Sequence, residues 1–210
     1  MKLKMFNNEF NGKLITFCGL DGCGKTTQIQ KLKEWLEKNE YKTFVTKQPT
    51  DAVRESLIFR AYADNQNYAD FDYRALSLFC ASDRIQHSNR VIAQKLQEGY
   101  VVISDRYFYS CLANLIARGY GSDTWIYEIS ACIPKPDLAL FLDVPVDVAI
   151  ARVKERPAER NRPVDGLFQE KLHDLYINIA QENDGVLIST LLSEETCFEN
   201  ILSEVEKIVR

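Results

Sequence analysis

Five short apolar runs alternate along the chain with longer stretches whose apolar residues recur at helical spacing. That alternation predicts an α/β fold in which a parallel sheet is covered by helices on both faces. A glycine-rich loop stands where the first run meets the first helical stretch. No repeat and no Pro/Gly/Ser linker breaks the pattern, so residues 13–210 read as a single domain behind an N-terminal extension of residues 1–12.

The elements follow in order. Leu14-Ile15-Thr16-Phe17 reads as a strand, and Thr26 to Lys38 places Ile29, Leu32 and Leu36 on one helical face. Thr43-Phe44-Val45-Thr46 is a second strand, ended by Pro49. A long helical region from about Tyr73 to Glu98 closes at Gly99, a C-terminal stop. Val101 to Ser104 and Leu138 to Leu142 are the third and fourth strands, with a helix over Val146 to Arg156 after the fourth. Val186-Leu187-Ile188 is the fifth strand. The last helix sets Phe198, Ile201, Leu202, Val205, Ile208 and Val209 on one face. Parallel sheets of this kind bind ligands at the carboxyl ends of their strands, so chemistry is expected just after Phe17, Lys47, Ser104 and Leu142.

Composition narrows the function classes. The chain has 210 residues, with 46% hydrophobic and 27% charged, which excludes a disordered or low-complexity protein. Its 26 Lys+Arg against 30 Asp+Glu leave −4, a poor balance for a general nucleic-acid binder. No apolar run approaches the roughly 18–20 residues of a bilayer span, and polar Met1 to Gly12 does not read as a secretory signal. The six cysteines form no C-x-x-C pair and only two His are present, which argues against a zinc site. A reduced cytoplasmic chain with buried thiols is expected.

Gly19-Leu20-Asp21-Gly22-Cys23-Gly24-Lys25-Thr26 fits G-x-x-x-x-G-K-[ST], in the strand-to-helix setting that gives the motif its meaning. Gly19, Gly22 and Gly24 let backbone N–H groups converge on phosphate oxygens, and the helix N-terminus adds partial positive charge. Lys25 would reach the β/γ-phosphates of ATP, and Thr26 would bind Mg²⁺ through its hydroxyl, with Thr27 beside it. The fold class sharpens to a P-loop NTPase-type three-layer sandwich around a five-stranded parallel sheet. Cys23, at a helix N-terminus, is expected to be tolerated and reachable by alkylation.

Asp105-Arg106 follows the third strand, where a carboxylate could manage Mg²⁺ and an arginine could hold a phosphate. Phe79 and Arg84 lie five positions apart on the long helix, poorly placed for one face, yet both could line a cleft.

Taken together, these segments resemble thymidylate kinase, a nucleoside monophosphate kinase family. The matching stretches are Phe17 to Thr27, Leu78 to His87, Gly99 to Tyr107 with Ser110, and Pro136 to Pro145. The resemblance implies ATP plus dTMP giving ADP plus dTDP, Mg²⁺ as cofactor, and a helix-packed homodimer. It implies Asp21 and Asp105 near the metal and the transferring phosphate, Phe79 stacked on the acceptor base, Arg84 on base or phosphate, and Arg106 on the acceptor phosphate. Gln48-Pro49-Thr50 resembles the loop that closes on the deoxyribose.

Arg156, Arg160 and Arg162 fall within seven residues broken by Pro157 and Pro163, which deny a continuous helix. A lid over about 156–166 is expected, with Arg156 on ATP and Arg160 or Arg162 offsetting charge on the phosphoryl group. The phosphate loop has no arginine between Asp21 and Lys25, so the chain resembles family members with the catalytic arginine in the lid. It departs from the family at Cys18 and Gln48, where Glu is usual, and at Asn114-Leu115, where an aromatic and Gln are usual. In the family that aromatic crowds the sugar 2′ position, so Asn114 opens the choice of acceptor. A kinase for another nucleotide or a nucleoside, and a non-catalytic ATP-binding protein, are the alternatives. Nucleoside kinases place a carboxylate base after the second strand; Gln48 cannot act as one, which favours an acceptor already ionised.

Overall fold

The computed structural model describes residues 2–64, 72–157, 159–161 and 163–209. Its sheet has five strands, β1 (Lys13–Cys18), β2 (Thr43–Lys47), β3 (Val101–Asp105), β4 (Leu138–Asp143) and β5 (Val186–Ser189). They run in the order β2-β3-β1-β4-β5, and every pairing is parallel. β1 is central because Leu14 to Cys18 are apolar or small and can be buried on both faces; Leu14, Ile15 and Phe17 are wholly inaccessible. Each such side chain contributes about 2 kcal/mol by leaving water. The edge strands are less covered, with Val45 and Leu187 exposed. From β1 the chain goes first to one side of the sheet and later to the other. The crevice beyond its carboxyl end is therefore the switch point where such sheets hold ligands.

The flanking helices form two groups. α1 (Lys25–Lys38) packs against α10 (Glu194–Val209) and the sheet. α4 (Tyr73–His87), α6 (Phe108–Ala117) and α9 (Gly166–Glu182) pack in sequence, α4 on α6 and α6 on α9. Short helices α2 (Asp51–Arg54) and α3 (Leu57–Asp64) follow β2 and were not foreseen in the sequence. Nor was α7 (Trp125–Ile129). α8 (Val146–Lys154) stops two residues short of the expected Arg156.

The long helical region expected from Tyr73 to Glu98 is interrupted. After α4 a π-helical turn spans Ser88–Ile92, and α5 (Ala93–Gln97) resumes the α-helix to the Gly99 stop. Gly99 has φ +77°, and its N–H bonds the Leu96 carbonyl. Apolar periodicity cannot show a π turn, which inserts one residue without disturbing composition. Here it lies beside the end of β2, where Ser88 accepts a hydrogen bond from Gln48.

Residues 2–12 run along the body of the fold. Leu3 is buried and its N–H bonds Asn183 Oδ1 at 2.9 Å, while Phe6 pairs in parallel with Pro134. Gly12 meets the end of α5 through its N–H to the Leu96 carbonyl, where an added Cβ would lie 2.3 Å from the Tyr100 oxygen.

Candidate active site

The glycine-rich loop wraps the N-terminus of α1. Gly22 has φ +85°, and a Cβ there would lie 2.2 Å from the Ala149 carbonyl oxygen, so the loop seats on α8 only with glycine. Gly24, the α1 N-cap, has φ +91°, and a Cβ would meet nothing within 4 Å. The first requirement is packing and the second is backbone conformation with open space for a ligand. The amine of Lys25 folds inward, donating to the carbonyls of Leu20 at 2.7 Å and Gly19 at 3.2 Å. Thr26 and Thr27 are exposed at the helix start.

Cys23 corrects an expectation. Its side chain is wholly buried beneath the loop, with Sγ 3.6 Å from the Lys25 amine and close under Gly19. A thiol reagent cannot reach it in this conformation, because the packing that lets the chain turn at Gly19 also covers the sulfur. Cys18, Cys80, Cys111 and Cys197 are buried, as expected, and Cys132 is exposed.

Arg106 joins the tips of β1 and β3. Its backbone has φ +66°, uncommon for a residue with a side chain, and is held by N–H to the Phe17 carbonyl and by Ser104 Oγ to its own carbonyl. The guanidinium donates from Nη2 to Asp21 Oδ1 at 2.6 Å, and from Nη1 to Tyr176 Oη at 3.1 Å and the Gly19 carbonyl at 3.3 Å. Burial works against its charge, but Tyr176, Asp21 and Asp105 around it more than offset this and raise its pKa. Tyr176 Oη in turn donates a hydrogen bond to Ser110 Oγ at 3.1 Å. Burial raises the phenol's pKa, against the pull of Arg106. Cys18 lies in the same nest, its thiol pushed up to about 12 by burial in spite of Arg106. It is therefore a neutral apolar-like group, whereas a carboxylate there would compete for Arg106.

Opposite this nest stands the wall expected to take the acceptor. Asp83 accepts from the Thr50 N–H at 2.8 Å and the Thr50 hydroxyl at 2.5 Å, tying the turn after β2 to α4. Arg84 is buried, donating to the carbonyls of Cys80 at 3.0 Å and Tyr107 at 3.4 Å. Phe79 is half-buried and one helical turn from Asp83, on a different face from Arg84. Asn114 is half-buried and bonds the Ser110 carbonyl, and Leu115 beside it is core.

The structure does not bring every expected residue to the surface of the site. Gln48 is wholly buried, its amide spent on His87 Nδ1 and Ser88 Oγ, both at 3.1 Å. His87 Nε2 meets Thr46 Oγ1 at 3.0 Å, and burial lowers the imidazole pKa, opposed by Asp83. Gln48 is therefore a strut between β2 and α4, because the strand alternation turns it inward with Thr46. Pro49 next to it is buried, and Ser110 is covered by Tyr176.

Thr26 and Asp105 border one open cleft of about 530 Å³. Asp105 Oδ1 is buried without a hydrogen-bond partner among the described residues. A hydroxyl and an orphaned carboxylate oxygen are hard oxygen donors of the kind Mg²⁺ takes, with phosphate and water completing its shell. The residues present thus fit the metal.

In the lid stretch, the described residues 155–157, 159–161 and 163–165 are non-helical. Arg156 pairs with Glu159 at 3.0 Å, and Arg160 is exposed. Arg162 lies outside the described residues. This stretch leads into α9 through Asp165, whose Oδ1 caps the helix by accepting from the Phe168 N–H.

Sequence reasoning missed four side chains. Asp83 lies within the Leu78 to His87 stretch, whose pattern gives it no role. Tyr176 and His173 lie far along the chain from their partners Arg106 and Asp143, and His173 Nε2 meets Asp143 Oδ1 at 2.7 Å. Arg54, at the end of α2 with Nε donating to the Pro49 carbonyl at 2.8 Å, stands in no motif.

A phosphate loop on the central strand, with arginines gathered across the neighbouring strand end, defines a P-loop phosphotransferase. Comparison with known proteins makes this specific. The family model for thymidylate kinase matches residues 17–201. The probable thymidylate kinase of Pyrococcus horikoshii is 36% identical over 203 residues, covering 95% of this chain and 96% of that protein. That of Pyrococcus abyssi is 34% identical, covering 93% and 96%. The thymidylate kinase of Prochlorococcus marinus is 30% identical over 210 residues, covering 95% and 98%. The chain belongs to the thymidylate kinase family, and with it to the ATP-using nucleoside monophosphate kinases.

Proposed function

We propose that this chain transfers the γ-phosphoryl group of ATP to dTMP, forming dTDP and ADP, at the crevice between the tips of β1 and β3. The observation that carries the reading is the Arg106–Asp21 contact of 2.6 Å, which ties an acceptor-side arginine to the phosphate loop. An oxygen of the acceptor's phosphate attacks the γ-phosphorus. The bond to the bridging oxygen breaks, and ADP leaves with the electron pair. No proton need be removed, in keeping with a buried amide at Gln48 where a base would stand.

Two anions must approach each other, so the site supplies cations. Lys25 turns from the loop carbonyls toward the β/γ-phosphates, while loop N–H groups and the α1 N-terminus hold the donor. Arg106 and Arg84 take the acceptor phosphate or base, with Phe79 and Asn114 bordering the nucleoside. Thr26 and Asp105 would hold Mg²⁺, which when bound offsets charge on the β- and γ-oxygens. Lid arginines Arg156, Arg160 and Arg162 close over the donor and exclude water. Exposed Leu57 and Ile58 on α3 and Leu78 on α4 support a helix-packed homodimer, and the free thiols support a cytoplasmic site of action.

The test is ADP release with Mg-ATP across dTMP, dUMP, UMP, dCMP, dGMP and thymidine. A strong preference for dTMP is expected. Preference for another monophosphate would reassign the acceptor, and turnover independent of any acceptor would remove the kinase reading. In the same assay Arg160→Ala or Arg162→Ala should lower kcat by about 10²-fold. An unchanged kcat in both would remove the lid arginines from the chemistry.

A further inference from the structure

Arg118 caps the end of α6, and no motif in the sequence points to it. The chain turns away directly after it. Gly119 has φ +96° and donates its N–H to the Ile116 carbonyl, and Tyr120 donates to the Leu115 carbonyl. This stop fixes the root of the Arg118 side chain, and a cation suits the negative end of a helix. The guanidinium lies over rings from three other elements. Phe168 of α9 is 4.0 Å away at its centroid, Tyr62 of α3 is at 5.6 Å and Tyr73 of α4 is at 5.7 Å. The contact with α4 is returned, because Arg74 stands over the Tyr120 ring at 4.8 Å. Such stacking uses the plane and the charge of a guanidinium together.

The place of Arg118 matters because of the α6–α9 seam that it closes. Ser110, Asn114 and Arg118 follow at four-residue spacing along α6, and Phe168, Leu172 and Tyr176 do so along α9, so each set forms one row. The rows run antiparallel. Tyr176 bonds Ser110 at one end, and Arg118 covers Phe168 at the other. Between these ends α6 offers Asn114, whose amide turns back to the Ser110 carbonyl of its own helix, and α9 offers buried Leu172. The seam is thus pinned at two points. The Ser110 pin also reaches the acceptor side, since the Tyr176 hydroxyl accepts from Arg106 at 3.1 Å. A slide of α9 by about 0.5 Å would carry that contact out of hydrogen-bond range.

We propose that Arg118 is a positioning residue for the transfer. By stacking on Phe168 while held against Tyr62 and Tyr73, it fixes the register of α9 on α6 and keeps the Tyr176 hydroxyl on Arg106. The inference rests on the monophosphate kinase reading above and adds to it a residue that acts through Tyr176.

The experiment compares wild type with Arg118→Met, Arg118→Lys, Phe168→Leu and Tyr176→Phe, and with Arg118→Met combined with Tyr176→Phe, by steady-state kinetics and Tm. Arg118→Met keeps an unbranched stem without the plane or the charge. Arg118→Met and Phe168→Leu should each lower kcat/KM for dTMP about 3- to 10-fold, the range for losing a partly buried cation–π contact, and leave the KM for ATP within about twofold. Arg118→Lys, with the charge but not the plane, should fall between Arg118→Met and wild type. The double variant should lie within about twofold of Tyr176→Phe alone, because residues acting through one contact are not additive. Losses that multiply in the double variant overturn the proposal, since the two residues then act separately. A lower Tm with unchanged acceptor kinetics overturns it too, leaving Arg118 as packing only. An equal rise in the KM for ATP overturns it by making the effect general to the fold. Should Arg118→Met fail to fold, Phe168→Leu takes its place in the double variant and is read in the same way. Failure of the underlying reading appears separately, in the wild type. If another monophosphate is the substrate, the same ratios are read with that nucleotide. A wild type inactive on every monophosphate overturns both.

Discussion

In the proposed reaction the phosphate loop and the acceptor wall bind the same chemical group by different means. The loop is one contiguous segment, Gly19 to Thr26, and its business ends are backbone N–H groups, a helix terminus and one amine. The wall is assembled from the turn after β2, from α4 and α6, and from the tip of β3, and its business ends are side chains. Each of its arginines is aimed by a main-chain carbonyl: Cys80 and Tyr107 for Arg84, Gly19 for Arg106. A backbone cradle tolerates side-chain change wherever no Cβ is forbidden. A wall of side chains tolerates a change only if the carbonyl that aims each one stays in place. Arg106 belongs to both, since it bonds Asp21 of the loop while lying on the acceptor side.

This contrast can be broken most severely at Gly22. Alanine there would drive a Cβ to 2.2 Å from the Ala149 oxygen and hold a strained φ, so the loop must lift from α8. Gly22→Ala should cost about 1–3 kcal/mol of stability. Stopped urea titrations and ATP kinetics at low temperature should then show kcat/KM for ATP reduced by at least tenfold. A folded variant with wild-type ATP kinetics would mean that the cradle does not depend on its seat.

A smaller effect, and one that sharpens the comparison, is expected at Tyr176. Its hydroxyl accepts from Arg106 and donates to Ser110. Tyr176→Phe should lower kcat/KM for the acceptor by about tenfold, the value of about one to two buried hydrogen bonds, with little change in the KM for ATP. If Tm falls and acceptor kinetics do not move, Tyr176 is only a packing residue.

The smallest effect concerns pH. Burial lowers the His87 pKa below its unfolded value of about 6.5, so the unfolded chain binds more protons in that window. Stability is therefore full above about 6.5 and is lost as pH falls from there through the folded pKa. His87→Gln should flatten the fall in unfolding free energy between pH 7.5 and pH 5.5. An identical slope in both proteins would place the loss elsewhere.

How much of this was legible beforehand follows the same division. The phosphate loop could be read residue by residue, because its function depends on local backbone and on spacing within eight positions. Strands β1, β3 and β4 were legible because burial on both faces demands unbroken apolar runs. Helices α2 and α3 were not, being too short to show a period, and the π turn after α4 leaves no mark on composition. Gln48 was expected beside the acceptor, yet the alternation of β2 carries it inward to His87 and Ser88. Cys23 was expected to be reachable, yet its sulfur lies under Gly19.

The amino-acid order by itself determined the layered α/β fold, the donor loop and the family, since each rests on periodicity or on a short motif. Tertiary structure alone decided what each arginine meets. Arg84 reaches the Tyr107 carbonyl and Arg106 reaches Asp21 and Tyr176, partners far along the chain that only the packing of α4 on α6 and α6 on α9 around the sheet brings within reach. Local propensity acts over a few residues, whereas an anion site is defined by distances in space between groups the chain order keeps apart.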